Sequence, residues 1–146
     1  NIEVVKFLLS GEKYAIESQY VHEDQALEQF TSLPCTPAFV FGIVNFRGAI
    51  LSVIDLGKFF ELPEQGLSDL NRIIVLRSER MMFGILADAI MGVGRIPIGN
   101  IQAHLPTLTG VRERYLRGVT PERLVILDGE KLLTDENLVV QERVTE

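Results

Sequence analysis

Apolar positions along this chain fall in short runs separated by turn residues. Residues 3–9 (EVVKFLL) and 13–17 (KYAIE) are rich in apolar, β-branched and aromatic side chains, and Ser10-Gly11-Glu12 between them reads as a hairpin turn. Residues 72–77 (RIIVLR) and 81–86 (MMFGIL) flank Ser78-Glu79-Arg80 in the same way. Two more pairs follow a second pattern: 43–46 turns at Arg47-Gly48 into 49–54, and 116–117 turns at about Gly118 into 123–127. The pattern predicts β-strands joined by tight turns.

These features come in two sets. The turn at Ser10 is matched by Ser78, Gly48 by Gly118, and Asp55 by Asp128. Each Asp ends an apolar run and opens a similar segment, DLGKFF or DGEKLL. An Asp there can accept from exposed backbone N–H groups and cap one helical turn. The chain therefore reads as two halves, 2–62 and 70–133, with exchange of strands between them possible, followed by a tail over 134–146. A half of roughly 60 residues is marginal alone, so the two are expected to pack together. Short strands with tight turns suggest small closed barrels, which also remove exposed sheet edges. Residues 63–69 (PEQGLSD) read as a linker, and 92–110 as a long irregular connection with one short helical turn. The charged residues from Glu136 onward read as a fraying helix or a disordered end.

Composition narrows the function. Of 146 residues, 47% are apolar and 23% charged, which is a globular balance. A net charge of −6 argues against nucleic acid and anionic membrane surfaces, which need clustered Lys and Arg. No apolar run approaches the ~20 residues that span a bilayer, and no signal peptide is visible at the start. Cys35 is the only cysteine, so no internal disulfide forms and a reducing cytoplasm is the natural setting. It reads as a small, partly buried residue before a turn. His22 and His104 belong to no metal-ligand cluster, and no GxSxG or P-loop occurs. The GVGRIPIG segment after Met91 lacks the spacing and the Lys of a phosphate cradle. The expectation is a protein without enzymatic activity, cofactor or metal.

The stretch from Pro34 to Phe60, PCTPAFVFGIVNFRGAILSVIDLGKFF, resembles the signature of the CheW-type coupling proteins. There a Pro-x-x-Pro segment leads to an apolar strand, an Asn-Leu-Arg-Gly turn, a second apolar strand and an Asp-Leu. The elements present are Pro34, Pro37, Gly42, Asn45, Arg47, Gly48, Asp55 and Leu56. Gly84 and Asp88 in GILADAIMGV are similar to the family's Gly-x-x-x-Asp segment, and YLRGVTPERLVILDGEKLL to its closing hairpin and helix. The resemblance runs from about Glu3 to Leu133. It implies an all-β fold of two packed five-stranded SH3-like β-barrels with short helices. It also implies a cytoplasmic signalling adaptor that couples the tip of a chemoreceptor to the regulatory domain of a CheA-type histidine kinase. The alternative is a regulatory domain cut from a larger protein, either the kinase itself or an adaptor fused to a receiver domain.

Candidate contact residues follow. Arg47 sits at a hairpin turn where a long cation can leave the barrel, and the resemblance ties it to receptor coupling; the plainer alternative is a solvated turn residue. Glu23 is its expected forked partner. Val21 and Ile50 complete the receptor candidates, with ordinary barrel core as the alternative. Phe39, Val40 and Phe41 are three consecutive apolar residues that cannot all face one way, so at least one is expected to point outward. By resemblance these three, with Phe30, lie where the first barrel meets the kinase, with core as the alternative. Ser18, Gln19 and Asp24 replace residues often apolar in the family, Ser52 a common Pro, Phe46 the usual Leu, and Phe41 a position often polar. These departures leave room for an output other than swimming, such as surface motility.

Overall fold

The computed structural model describes residues 1–63, 70–103 and 110–138. The strands are β1 (Ile2–Leu9), β2 (Glu12–Glu17), β3 (Val21–Ala26), β4 (Val40–Phe46) and β5 (Ala49–Ile54), then β6 (Arg72–Arg77), β7 (Met82–Ala87), β8 (Ala89–Ile96), β9 (Leu116–Val119) and β10 (Val125–Leu127). One helical turn, α1 (Leu56–Phe59), follows β5, and a second, α2 (Gly129–Thr134), follows β10. Asp55 and Asp128 cap them as expected, accepting from the backbone N–H of Lys58 at 3.2 Å and Lys131 at 3.1 Å.

The strands form two five-stranded sheets, ordered β3-β6-β7-β5-β4 and β8-β1-β2-β10-β9. Each sheet borrows its central hairpin from the other half of the chain: β6-β7 completes the first barrel, and β1-β2 the second. The halves are thus not separate barrels but exchange hairpins. Isolated bridges, Thr31 with Ile43 and Gln102 with Val119, pair the outer edges of β4 and β9 with the chain that follows β3 and β8. Those pairings cover edges that would otherwise be open to another strand.

Register shows why alternate residues are apolar on both faces. In β6, Ile73 and Val75 enter the first barrel's own core with Val44, Phe46, Leu51 and Val53. Ile74 and Leu76 face the other way, into a larger cluster shared with Phe7, Leu9, Tyr14 and Ile16 of β1-β2. The second barrel keeps a smaller core of Ile2, Val4, Ala15, Ile96, Leu124 and Ile126. Most aromatic mass lies in the shared layer, where Phe59 packs on Phe39 and Tyr115 with ring centroids 4.9 and 5.2 Å apart. Burying a Phe or Leu side chain contributes about 1.5–3 kcal/mol, so this layer joins the two barrels into one cooperative body. Arg112 ties the 3-10 turn Val111–Tyr115 to the first hairpin, donating to Tyr14 Oη at 2.6 Å and to Glu12 Oε1 at 2.7 Å.

Several expectations need correction. Gly118 is not a turn residue; it lies inside β9, and the turn is Thr120–Arg123. Its counterpart is Gly42, not Gly48. Gly42 pairs with Val53 and Gly118 with Ile126, and a Cβ at either would meet a backbone oxygen, that of Thr31 at 2.5 Å or that of Gln102 at 2.6 Å. The connection expected over 92–110 begins as strand β8, which runs through Gly92 and Gly94 to Ile96, before the 3-10 turn Ile98–Asn100. The segment VHEDQA forms β3 despite its polarity. Cys35 is exposed, at φ +61°. Leu138, assigned to the tail, is buried in the shared core. The linker's residues 64–69, His104 and the end of the tail lie outside the described residues.

Candidate protein-interaction site

Arg47 and Gly48 are the two central residues of the β4-β5 turn, flanked by the pair Phe46 and Ala49. Both have positive φ, +54° and +85°, the backbone of a type I′ hairpin. Asn45 Oδ1 accepts from the Gly48 N–H at 3.1 Å and steadies the turn. The turn throws the Arg47 side chain off the end of the first barrel. Its guanidinium forms an ion pair with Glu23 on β3 and lies 5.4 Å from the Phe46 ring centroid. The side chains are 67% and 28% exposed, so the pair adds only about 0–1 kcal/mol to stability. Its larger effect is to fix the direction of a cation at the surface. Asp24 makes a second ion pair, with Arg72.

The structure brings the receptor candidates to different environments. Ile50, cross-strand partner of Asn45, is 72% exposed, which rules out the core alternative for it. Val21 is half-buried and packs on the shared core at the start of β3. Between Val21 and Glu23 the ladder with β6 slips by one residue, and His22 takes the extra place. The His22 ring sits edge-on to Phe46, 6.0 Å between centroids. Sequence reasoning gave His22 no role; the bulge that places it leaves no local signal in the polar run VHEDQA.

The kinase candidates also divide. Val40 is buried in the shared core and offers no surface. Phe39 is half-buried against the same cluster, edge-on to Phe59. A bulge between Val40 and Gly42 leaves Phe41 unpaired, partly buried against the first barrel's core. There it meets Phe30, with centroids 4.4 Å apart, and Phe30 is 45% exposed. Phe30 and Phe41 thus form a semi-exposed aromatic pair. Among the described residues no group of three or more His, Cys, Asp or Glu is arranged to hold a metal ion, and no helix is long and apolar enough to cross a membrane.

Two buried phenols have raised pKa values. Burial, reinforced by a hydrogen bond to Asp135, pushes the Tyr115 hydroxyl up to about 12. Burial and a hydrogen bond to Glu12 raise that of Tyr14 as well. Both stay protonated donors that pin the shared layer to its neighbours.

Known proteins give the fold and the motifs a family. The chain is 32% identical to the chemotaxis protein CheW of Treponema pallidum, covering 93% of this chain and 84% of that protein. It is 33% identical to the chemotaxis protein CheW of Klebsiella aerogenes, covering 97% and 87%, and 30% identical to protein FrzA of Myxococcus xanthus, covering 87% and 82%. The crystal structure of the scaffolding protein TtCheW from Thermoanaerobacter tengcongensis superposes with a TM-score of 0.75 at 32% identity, over 86% of this chain and 83% of that one. The model of the CheW-like domain matches residues 3–137. With two five-stranded SH3-like barrels and a family match over nearly its whole length, this chain belongs to the CheW-like domain family.

Proposed function

We propose that this chain is a non-enzymatic scaffold of chemosensory signalling that couples the cytoplasmic tip of a chemoreceptor to the regulatory domain of a CheA-type histidine kinase. The observation that carries the reading is the oriented Arg47–Glu23 pair with the exposed Ile50 on the same hairpin as Arg47. A fixed cation and an exposed aliphatic residue on one β-hairpin suit a helical hairpin, which offers an apolar stripe with a polar rim. The family match supports a scaffold, since two relatives are chemotaxis CheW proteins and the structural neighbour is a scaffolding protein.

Phe30 and Phe41 are the kinase-facing candidates, because a partly exposed aromatic pair can serve as an interface anchor. Val40 contributes only by holding β4 in place. The test is binding of a receptor cytoplasmic fragment and of a kinase regulatory domain, measured separately. Arg47→Ala is expected to weaken receptor binding at least tenfold and leave kinase binding unchanged. Phe41→Asp is expected to do the reverse, with unchanged circular dichroism. Wild-type receptor affinity in Arg47→Ala would remove the receptor assignment.

A further inference from the structure

The two barrels have equivalent frameworks, and one lacks a part that the other has. Lys6 and Ala15 pair in β1-β2 as Val75 and Gly84 pair in β6-β7, and Ile126 and Val53 adjoin Ala15 and Gly84 in matching parallel ladders. Lys6 is therefore the counterpart of Val75. Leu124 and Thr120 are the counterparts of Leu51 and Val44 by the same ladders. In the first barrel Val44, Leu51 and Val75 share their core with Phe46, which is buried at the foot of the long Arg47-Gly48 hairpin. In the second barrel that hairpin is cut short. Thr120 and Leu124 are joined by Pro121, Glu122 and Arg123 alone, and among the described residues no aromatic side chain joins the second barrel's own core as Phe46 joins the first.

What remains is an open pocket of about 320 Å³ at that end of the second barrel. Its walls include Lys6, Thr120 and Leu124, the counterparts of Phe46's companions, together with the apolar Ile96 and Pro97. Lys6, Lys13 and Arg95 line it as cations against the single acid Glu122, a local reversal in a chain of net charge −6. Lys6 lies across Gly94, where a Cβ would come within 2.9 Å of its Cε. Arg95 is only loosely engaged, 3.8 Å from Glu3.

We infer that this pocket is a docking site for a protein segment carrying one bulky apolar side chain, such as Phe, flanked by carboxylates. The apolar side chain takes the place that Phe46 fills in the first barrel, and the carboxylates meet Lys6, Lys13 and Arg95. This site stands apart from the proposed receptor and kinase contacts and does not depend on them. The probe is a capped Glu-Asp-Phe-Asp-Glu peptide titrated into the isotope-labelled full chain and followed by amide chemical shifts.

Shifts centred on Gly94, Ile96 and Leu124, with affinity at least fivefold lower in Lys13→Glu and in Lys6→Glu, are the expected result. Lys13 is exposed, so its variant keeps the fold even if Lys6→Glu does not. The inference is overturned if those amides do not move, or if a Lys-Lys-Phe-Lys-Lys peptide binds equally well. Phenylacetate binding as tightly as the peptide would overturn it in favour of a small-molecule site. Shifts appearing with protein concentration alone would overturn it in favour of a second copy of the chain.

Discussion

The two barrels share a strand order and a set of irregularities, yet they end differently. His22 and Met91 occupy matching bulges, and so do Phe41 and Arg117. Asp55 N–H donates to Phe39 O at 2.8 Å just as Asp128 N–H donates to Tyr115 O at 2.7 Å. The scaffold is duplicated down to its backbone hydrogen bonds. The side chains set on it are not. Where the first barrel has Val75 and Phe41, the second has Lys6 and Arg117, and Arg117 pairs with Glu17 at 2.7 Å. The first barrel closes with aromatic groups and presents Arg47 outside them; the second leaves a pocket with cationic walls. Backbone pairing thus fixes the shape of each barrel, while side chains at its ends decide what each can hold.

The largest effect comes from exchanging those side chains. Val75 is fully buried, so Val75→Lys places an unpaired cation in the first barrel's core. It is expected to cost about 3–5 kcal/mol. The reverse exchange, Lys6→Val, is expected to be neutral or stabilising by up to about 1 kcal/mol. Urea midpoints of the two variants measure the difference. Equal losses would mean that the two positions are not counterparts in environment.

A smaller effect tests the shared backbone. Gly42→Ala and Gly118→Ala each drive a Cβ into a backbone oxygen, 2.5 and 2.6 Å away. Each is expected to cost about 2–3 kcal/mol, Gly42 more because its φ is +157°. A tolerated alanine at one site alone, seen in thermal melts, would show that the duplication does not extend to the bulges. Smaller again are the caps: Asp55→Ala and Asp128→Ala are each expected to lower stability by about 1 kcal/mol, to similar extents.

The smallest change at neutral pH is Tyr115→Phe, and it sharpens where alkali acts. The Tyr115 pKa is about 12 in the fold against about 10 in an unfolded chain. Its contribution is therefore complete below pH ~10 and lost as pH rises through about 12. Tyr115→Phe should lose less stability across that window than the wild type does. Denaturation midpoints at successive alkaline pH values give the comparison, and the raised Tyr14 hydroxyl accounts for part of the remaining loss.

Much of the fold was legible because the hairpins β1-β2, β4-β5 and β6-β7 carry strong local signals: apolar runs, turn residues and a capping Asp. The exchange of hairpins was legible only as a possibility, because which distant strand completes each barrel leaves no mark in a local window. Strand β3 was missed because Glu23 and Asp24 engage Arg47 and Arg72 at the surface, so its sequence lacks an apolar alternation. Strand β8 was read as irregular because Gly92 and Gly94 interrupt it; Gly94 makes room for Lys6. Among the candidate contacts, the Glu23–Arg47 pairing was legible from the turn chemistry and the family pattern together. The burial of Val40 and the exposure of Ile50 were not, since a bulge at Phe41 and a projecting hairpin set them.

The most direct test of the scaffold is a reconstitution. A receptor cytoplasmic fragment and a CheA-type kinase are mixed with and without this chain, and co-sedimentation of the kinase with the receptor is measured. The kinase is expected to join the receptor only when the chain is present, with both Arg47→Ala and Phe41→Asp abolishing the gain. Kinase recovery that is the same with and without the chain would contradict the scaffold role.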